Sequence, residues 1–181
     1  MSYEIEVKAW VSDPAGLEEQ LQERGTFLRH FEKNDVYFEG EATHGGQPLT
    51  VRIREDGEKS LCTFKERQIL DGVEHNREWE FTIGDPLAME TLLLRLGLPE
   101  FVRKRKTGGA YHLEDLLVEL SEVEGLGHFV EIEILVNSSA EEAVQVRAKQ
   151  RVRETLTSLG IPESAIESKQ YTKLLLEQRG S

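Results

Sequence analysis

Residues 3–11 read YEIEVKAWV, and apolar and polar side chains alternate along them with a period of two. This period is typical of a β-strand, because successive side chains of a strand point to opposite faces of its sheet. Glu4, Glu6 and Lys8 would therefore share one face, and the apolar side chains between them the other. The stretch predicts a sheet with one apolar face and one charged face.

The rest of the chain continues this pattern and predicts seven further strands. Asp56-Gly57 and Asp71-Gly72 each stand between two strand-like segments, which is a strong signal for a hairpin and hence for antiparallel pairing. The further strands are expected at 26–39, 48–54, 59–66, 73–83, 100–106, 110–120 and 128–136. Eight strands of this length could close into a barrel just wide enough to hold one small ligand.

Helices are predicted beside this sheet. Asp13-Pro14 and Asp85-Pro86 are typical pairs of a helix N-cap and first turn, and they open helices at 14–24 and about 85–97. Apolar residues at helical spacing predict a further helix at 139–159, and a last short helix covers 171–178. The fold class is thus α+β, an eight-stranded antiparallel barrel with flanking helices in a single domain of residues 1–181, whose helical tail spans about 139–178.

Composition narrows the class of protein. The 181 residues carry a net charge of −12, which argues against a general binder of nucleic acid or anionic membranes. The chain has one cysteine, Cys62, which suits a reducing compartment. It shows no signal peptide and no apolar run of 18 residues, so a cytoplasmic protein is expected.

Charged residues recur in pairs, two positions apart, on most of the predicted strands. Some pairs are acidic and others basic, and they fall on different strands: Glu4 with Glu6, Arg52 with Arg54, Glu78 with Glu80, Lys104 with Lys106, and Glu131 with Glu133. The ordinary interpretation is that these are the solvent faces of an antiparallel sheet. If the barrel turns them inward, basic groups and a carboxylate cluster would instead suit a polyphosphate together with its metal ions.

Several motifs occur in a fixed order along almost the whole chain, and together they are specific enough to indicate a protein family. They are EIEVK at 4–8, DVYF at 35–38, RIR at 52–54, TFK at 63–65, REWEF at 77–81, Lys104 with Lys106, EVEGLG at 122–127, FVEIE at 129–133 and YTKLL at 171–175. The first is an ExExK signature, and the series resembles the CYTH superfamily, the triphosphate tunnel metalloenzymes. The resemblance implies an eight-stranded tunnel that binds a triphosphate and requires Mg²⁺ or Mn²⁺.

The resemblance also implies roles for individual residues. The metal-binding carboxylates would be Glu4, Glu6, Glu131 and Glu133. The triphosphate cradle would be Lys8, Arg52, Arg54, Lys65, Lys104 and Lys106, with Lys169 as a weaker candidate. The catalytic candidates are Lys8, Lys65, Glu78 and Glu80, although Glu78 and Glu80 could equally serve to orient the basic side chains.

Two departures from the family pattern bear on the reaction. Ser121 stands where the family usually has an aspartate, so Glu119, on the same strand face, or another carboxylate would have to replace that charge. The His-Phe pair that class IV adenylate cyclases carry shortly before ExExK has no counterpart ahead of Glu4. Without a substitute carboxylate the first departure would alter the activity, and the second argues against cyclase activity in particular.

Three functions follow from this resemblance. The first is a class IV adenylate cyclase-like enzyme that converts ATP to cyclic AMP and pyrophosphate. The alternative is a triphosphatase that hydrolyses inorganic triphosphate, thiamine triphosphate or a nucleoside triphosphate, and a further alternative is a binder without catalysis. The expected partner is a small triphosphate-bearing molecule rather than a nucleic acid or a membrane, and the helical stripe from Val144 to Leu159 could also serve a homodimer.

Overall fold

The computed structural model describes residues 2–44, 47–70, 73–137 and 142–180, and side chains within 4–41, 49–64, 79–137 and 142–180. It contains eight strands, all in antiparallel pairs. The strands are β1 (Ser2–Trp10), β2 (Thr26–His44), β3 (Gln47–Asp56), β4 (Lys59–Leu70), β5 (Val73–Thr82), β6 (Glu100–Leu113), β7 (Leu116–Val123) and β8 (Gly127–Asn137).

The strands close into a barrel in the order β1-β5-β4-β3-β2-β6-β7-β8. The closing pair is long, because β1 and β8 are in register from Ser2↔Asn137 to Trp10↔Phe129. The hairpin predicted at Asp56-Gly57 is confirmed, and Gly57 has the positive φ of 63° that glycine adopts without strain. The predicted turn at residues 71–72 lies outside the described residues.

Two predicted strand boundaries are wrong. Residues 107–109 were expected to separate two strands, yet β6 runs through them to Leu113 and the chain turns at Glu114 instead. The segment at 40–47 was expected to be a turn, whereas β2 continues to His44 and pairs with β3 through two irregularities in register. In both segments, residues that are typical of turns are paired within strands.

The helices are α1 (Pro14–Arg24), α2 (Pro86–Arg95), α3 (Glu142–Ser158) and α4 (Tyr171–Arg179), with a 3₁₀ turn at Glu163–Ala165. Helices α1, α2 and α3 pack against the outer face of the barrel. The predicted N-caps are confirmed, since the side chains of Asp13 and Asp85 accept hydrogen bonds from the N–H groups of Gly16 and Ala88. No helix within the described ranges is long and apolar enough to cross a membrane.

The main apolar core lies between the outer face of the barrel and helices α1 and α3. It joins the alternate apolar residues of β1, such as Ile5 and Val7, to Leu17 of α1 and Val152 of α3. Because this face of β1 is the buried outer one, Glu4, Glu6 and Lys8 are directed into the barrel. The alternation in residues 3–11 thus sets which side chains line the lumen.

Candidate active site

The barrel lumen encloses a cavity of about 320 Å³ with a strongly charged lining. This volume is at the lower end of the range for small-ligand sites. The lining residues are Glu4, Glu6, Lys8, Lys33, Tyr37, Thr50, Arg52, Arg54, Glu80, Lys104, Lys106, Leu117, Glu119, Glu131, Glu133, Gln170, Tyr171 and Thr172. The charged faces of these strands are therefore interior, and the interpretation of them as solvent faces is wrong.

Three carboxylates converge on β1 and β8. One oxygen from each of Glu4, Glu6 and Glu133 lies within 4.8 Å of the others, and we call these three residues the carboxylate cluster. The donor set consists of carboxylate oxygens, which hard cations such as Mg²⁺ and Mn²⁺ prefer. The residues present therefore fit a divalent metal ion.

A buried ion-pair group stands on β2, β3 and β6. The Asp35 carboxylate receives two hydrogen bonds from Arg54, at 2.7 and 2.9 Å, and lies 3.0 Å from the Lys104 ammonium. Burial by itself would raise the pKa of Asp35, but Lys104 and Arg54 outweigh it and hold that pKa well below its usual range. Asp35 is thus a fixed negative charge that orients two cations of the lumen.

Arg52 belongs to a second polar chain on the next strands of the barrel. Its Nη2 donates to the Thr63 hydroxyl at 3.1 Å, and that hydroxyl donates to Glu80 at 3.0 Å. The Nε atom of Arg52 is buried and has no hydrogen-bond partner among the described residues. An acceptor oxygen in the cavity would satisfy it, as a phosphate oxygen does.

Glu119 joins two lysines inside the lumen. Its carboxylate accepts from Lys33 at 2.5 Å and from Lys106 at 2.9 Å, and Lys106 also forms an ion pair with Glu131. Burial lowers the pKa of Lys106 to about 8 against the opposing effect of Glu119. Burial would also raise the pKa of Glu119, yet the two lysines outweigh this effect and lower it. Glu119 is therefore ionised at neutral pH.

The start of α4 reaches the lumen beside β1. Lys8 donates from Nζ to the backbone oxygen of Lys169 at 2.5 Å, and the same ammonium lies 4.3 Å from the centre of the Tyr171 ring. Tyr171 packs edge-on against Phe129, which in turn contacts Trp10. These contacts fix the first turn of α4 against one end of the barrel.

The order of the strands sets the carboxylate cluster opposite three of the cations. In a barrel of eight, β1 lies opposite β2, and β8 lies opposite β3. The carboxylate cluster on β1 and β8 therefore faces Lys33 on β2 and the two arginines of β3, Arg52 and Arg54. A lumen in which metal-binding oxygens face fixed cations can bind a polyanion together with its metal ion.

Most of the residues expected from the sequence come together in this lumen. Those that line it are Glu4, Glu6, Lys8, Arg52, Arg54, Glu80, Lys104, Lys106, Glu131 and Glu133. Glu131 lies outside the carboxylate cluster and pairs with Lys106. The Lys169 side chain is exposed and pairs with Glu177, so it lies away from the cavity. Lys65 and Glu78 have side chains outside the described residues.

Other lumen residues were missed by the sequence prediction. Lys33, Asp35 and Tyr37 alternate on β2, so the same period of two that selected β1 could have selected them. Tyr171 offers no such signal, because its position depends on how α4 packs. Ser121 is buried with its hydroxyl unpartnered among the described residues, whereas Glu119 supplies a lumen carboxylate two positions earlier.

Comparison with known proteins agrees with this geometry. The fold and the charged lumen define a tunnel type of β-barrel, and the CYTH domain family matches residues 2–166. The chain therefore belongs to the CYTH domain family. This assignment confirms the fold class and the family expected from the sequence.

Individual relatives cover nearly the full chain. A Methanocaldococcus jannaschii protein that is provisionally named an adenylate cyclase is 28% identical over 94% of this chain and 97% of its own length. A solved structure from Pyrococcus horikoshii is 30% identical and superimposes with a TM-score of 0.82, covering 97% of this chain and 99% of that one. A Hippeastrum structure, described as a provisional adenylyl cyclase with a dominant triphosphatase activity, has a TM-score of 0.64 at 22% identity, covering 100% and 97%.

Proposed function

We propose that this protein is a metal-dependent enzyme that acts on a triphosphate held in the barrel lumen. The observation that carries the proposal is a carboxylate cluster that faces Lys33, Arg52 and Arg54 across one closed lumen. Burying this many charges is costly in free energy, and such clusters of buried ionisable groups are typical of functional sites. Membership in the CYTH family supports the same class of substrate.

The side chains divide the work of binding between them. Arg52 and Arg54 offer planar guanidinium groups, which suit the oxygens of a phosphate chain, and the lysines add ammonium charges around them. Asp35 and Glu119 hold several of these cations in place before any ligand arrives. Mg²⁺ or Mn²⁺ held by Glu4, Glu6 and Glu133, with Glu131 nearby in the lumen, would supply charge neutralisation at the phosphate oxygens.

The first reaction we propose is the cyclisation of ATP. The ribose 3′-hydroxyl would attack the α-phosphorus and displace pyrophosphate, with Arg52, Arg54 and the lumen lysines neutralising the charge that develops on the leaving group. The name given to the Methanocaldococcus jannaschii relative supports this choice.

Hydrolysis is the alternative reaction for the same lumen. Water would attack the γ-phosphorus and release orthophosphate. The charged lining supports this alternative as well, because it suits a phosphate chain and the reaction requires no group that binds a base or a sugar.

Phosphorus NMR of the products separates the two reactions. Purified protein is incubated with ATP, and separately with inorganic triphosphate, each with Mg²⁺ and with Mn²⁺. Cyclic AMP and pyrophosphate from ATP would establish the cyclase, whereas orthophosphate from either substrate would establish a triphosphatase. A wild-type protein that binds triphosphate and forms no product with either metal would contradict ATP cyclisation and the hydrolysis of these two substrates, and would leave thiamine triphosphate hydrolysis and a non-catalytic binder.

Variants connect the reaction to this lumen. We expect Arg54→Ala to lower kcat/KM at least tenfold, since it removes a cation that faces the carboxylate cluster. Glu122→Gln is the matched control, because Glu122 is an exposed carboxyl on β7 and lies outside the cavity lining. Equal loss of activity in both variants would argue against the lumen as the active site.

A further inference from the structure

Three buried lysines from two different strands converge on one aromatic ring. The ammonium nitrogens of Lys8, Lys104 and Lys106 lie 4.3, 4.8 and 5.9 Å from the centre of the Tyr171 ring. All three side chains are nearly excluded from solvent, as is Tyr171. We call the three residues the lysine group. It sits where the first residue of α4 enters the lumen.

This ring is placed independently of the lysines. Tyr171 contacts Phe129 edge-on, with ring centres 4.9 Å apart, and it belongs to a small apolar cluster with Val123. Phe129 is fully buried and is supported on its other side by Trp10 at 4.1 Å. The ring is therefore a rigid surface rather than a side chain that follows its neighbours.

Each lysine also has a contact of its own, and the contacts lie in different directions. Lys104 contacts Asp35, Lys106 contacts Glu119 and Glu131, and Lys8 donates to the backbone oxygen of Lys169. Three ammonium groups this close repel each other in a medium of low dielectric constant. The face of an aromatic ring attracts cations and attracts them more strongly where water is excluded.

We propose that Tyr171 is a positioning residue for the triphosphate, because its ring fixes the spacing of Lys8, Lys104 and Lys106 before the substrate binds. The inference rests on the proposed function of the lumen. It assigns to α4 a direct part in substrate affinity, through a ring that the reacting phosphates need not touch. Preorganised cations lose less freedom when they bind an anion, so the effect falls on affinity rather than on the chemical step.

A substitution series that keeps the shape of the ring tests this role. Tyr171 is replaced by Phe, and then by phenylalanines with one, two and three ring fluorines introduced by amber suppression. Fluorine withdraws the negative charge of the ring face and barely changes its volume, so folding is preserved. The binding of inorganic triphosphate in the presence of Mg²⁺ is measured by titration calorimetry, together with KM and kcat.

We expect Tyr171→Phe to bind within about twofold of the wild type, because the ring face is kept. Affinity should then fall with each fluorine to about tenfold weaker at three, with KM rising and kcat nearly constant. Leu175→Ala is the structural control, since Leu175 lies one turn further along α4 and is 6% exposed against 7% for Tyr171. That control should lower stability without a matching loss of affinity.

The outcomes separate this inference from the function on which it rests. If the wild-type protein binds no triphosphate, the proposed function itself fails. If the wild type binds triphosphate but its affinity does not change across the fluorinated series, the positioning role of Tyr171 is wrong, although the lumen is still the triphosphate site. Carbon-13 labelling of lysine adds a ligand-free check, because the ring current of Tyr171 should shift the Hε signals of the lysine group upfield, and unshifted signals would overturn the inference.

Discussion

Asp35 shows how strongly single residues of this lumen depend on each other. It is one carboxylate between two buried cations, Arg54 and Lys104. The resemblance to the CYTH superfamily implied that both cations are ligands of a triphosphate, and the period-two pattern placed each of them in a basic pair on one strand face. The sequence did not show which carboxylate each cation contacts, because such contacts cross between strands that are distant in sequence.

Asp35→Asn should therefore destabilise the protein strongly. The variant keeps the shape of the side chain but leaves two buried cations without their charge partner, which costs about 3–5 kcal/mol. Urea unfolding at pH 7 measures the loss. Glu100→Gln is the control, because the pair of Glu100 with Arg103 is exposed and should contribute under about 0.5 kcal/mol. Similar losses in the two variants would contradict this account.

The same residue predicts how stability depends on pH. The pKa of Asp35 is lowered in the folded state, so its contribution to stability is complete above the unfolded value of about 3.9. It is lost progressively as the pH falls from there toward the folded pKa, because the unfolded state takes up the proton first. The difference in free energy of unfolding between wild type and Asp35→Asn should shrink from pH 5 to pH 2.5. A constant difference would mean that Asp35 does not act through its charge.

Among the elements, the pair β6–β7 explains where the sequence prediction failed. Strands were predicted at 100–106 and 110–120, so Gly108 and Gly109 fell in the gap between them, where adjacent glycines usually mark a turn. The structure uses Gly108 for a close approach instead, because a Cβ there would lie 2.1 Å from the backbone oxygen of Leu120. The actual turn is at Glu114, which has a positive φ of 59° without being glycine. A sequence does not reveal close packing between strands, whereas it does reveal hairpins such as Asp56-Gly57.

The two glycines should then respond differently to the same substitution. Gly108→Ala forces β6 away from β7 and should cost about 2–3 kcal/mol in free energy of unfolding. Gly109→Ala should cost less, because its Cβ would meet the Tyr111 side chain at 3.1 Å, and a side chain can shift where a backbone cannot. Urea unfolding of both variants compares them. If Gly109→Ala loses more free energy of unfolding than Gly108→Ala, the close approach of β6 to β7 is not the reason why position 108 is glycine.

At the scale of the whole molecule, the net charge of −12 has to be reconciled with the cations that line the barrel. The charge argues against nucleic acid and anionic membranes as partners, yet six cations line the lumen together with six carboxylates. Composition averages over both surfaces of a barrel, so it could not predict that cations line the interior, whereas the phase of the charges along each strand could. The carboxylate cluster on β1 and β8 should also affect the stability of the whole fold.

Relative to the wild type, Glu6→Gln should be equally or slightly more stable without metal and less stable with metal. Without metal, the three carboxylates of the cluster repel each other, so removing one charge should leave the melting temperature equal or slightly higher. With Mn²⁺ at about 100 times its Kd, the wild type should gain about 2.7 kcal/mol and the variant much less, because it has lost a ligand. Thermal unfolding in EDTA and in Mn²⁺ measures both. Glu122→Gln is the control, because it removes an exposed charge outside the cluster and should keep the full stabilisation by Mn²⁺. If Glu6→Gln also keeps the full stabilisation, Mn²⁺ binds elsewhere.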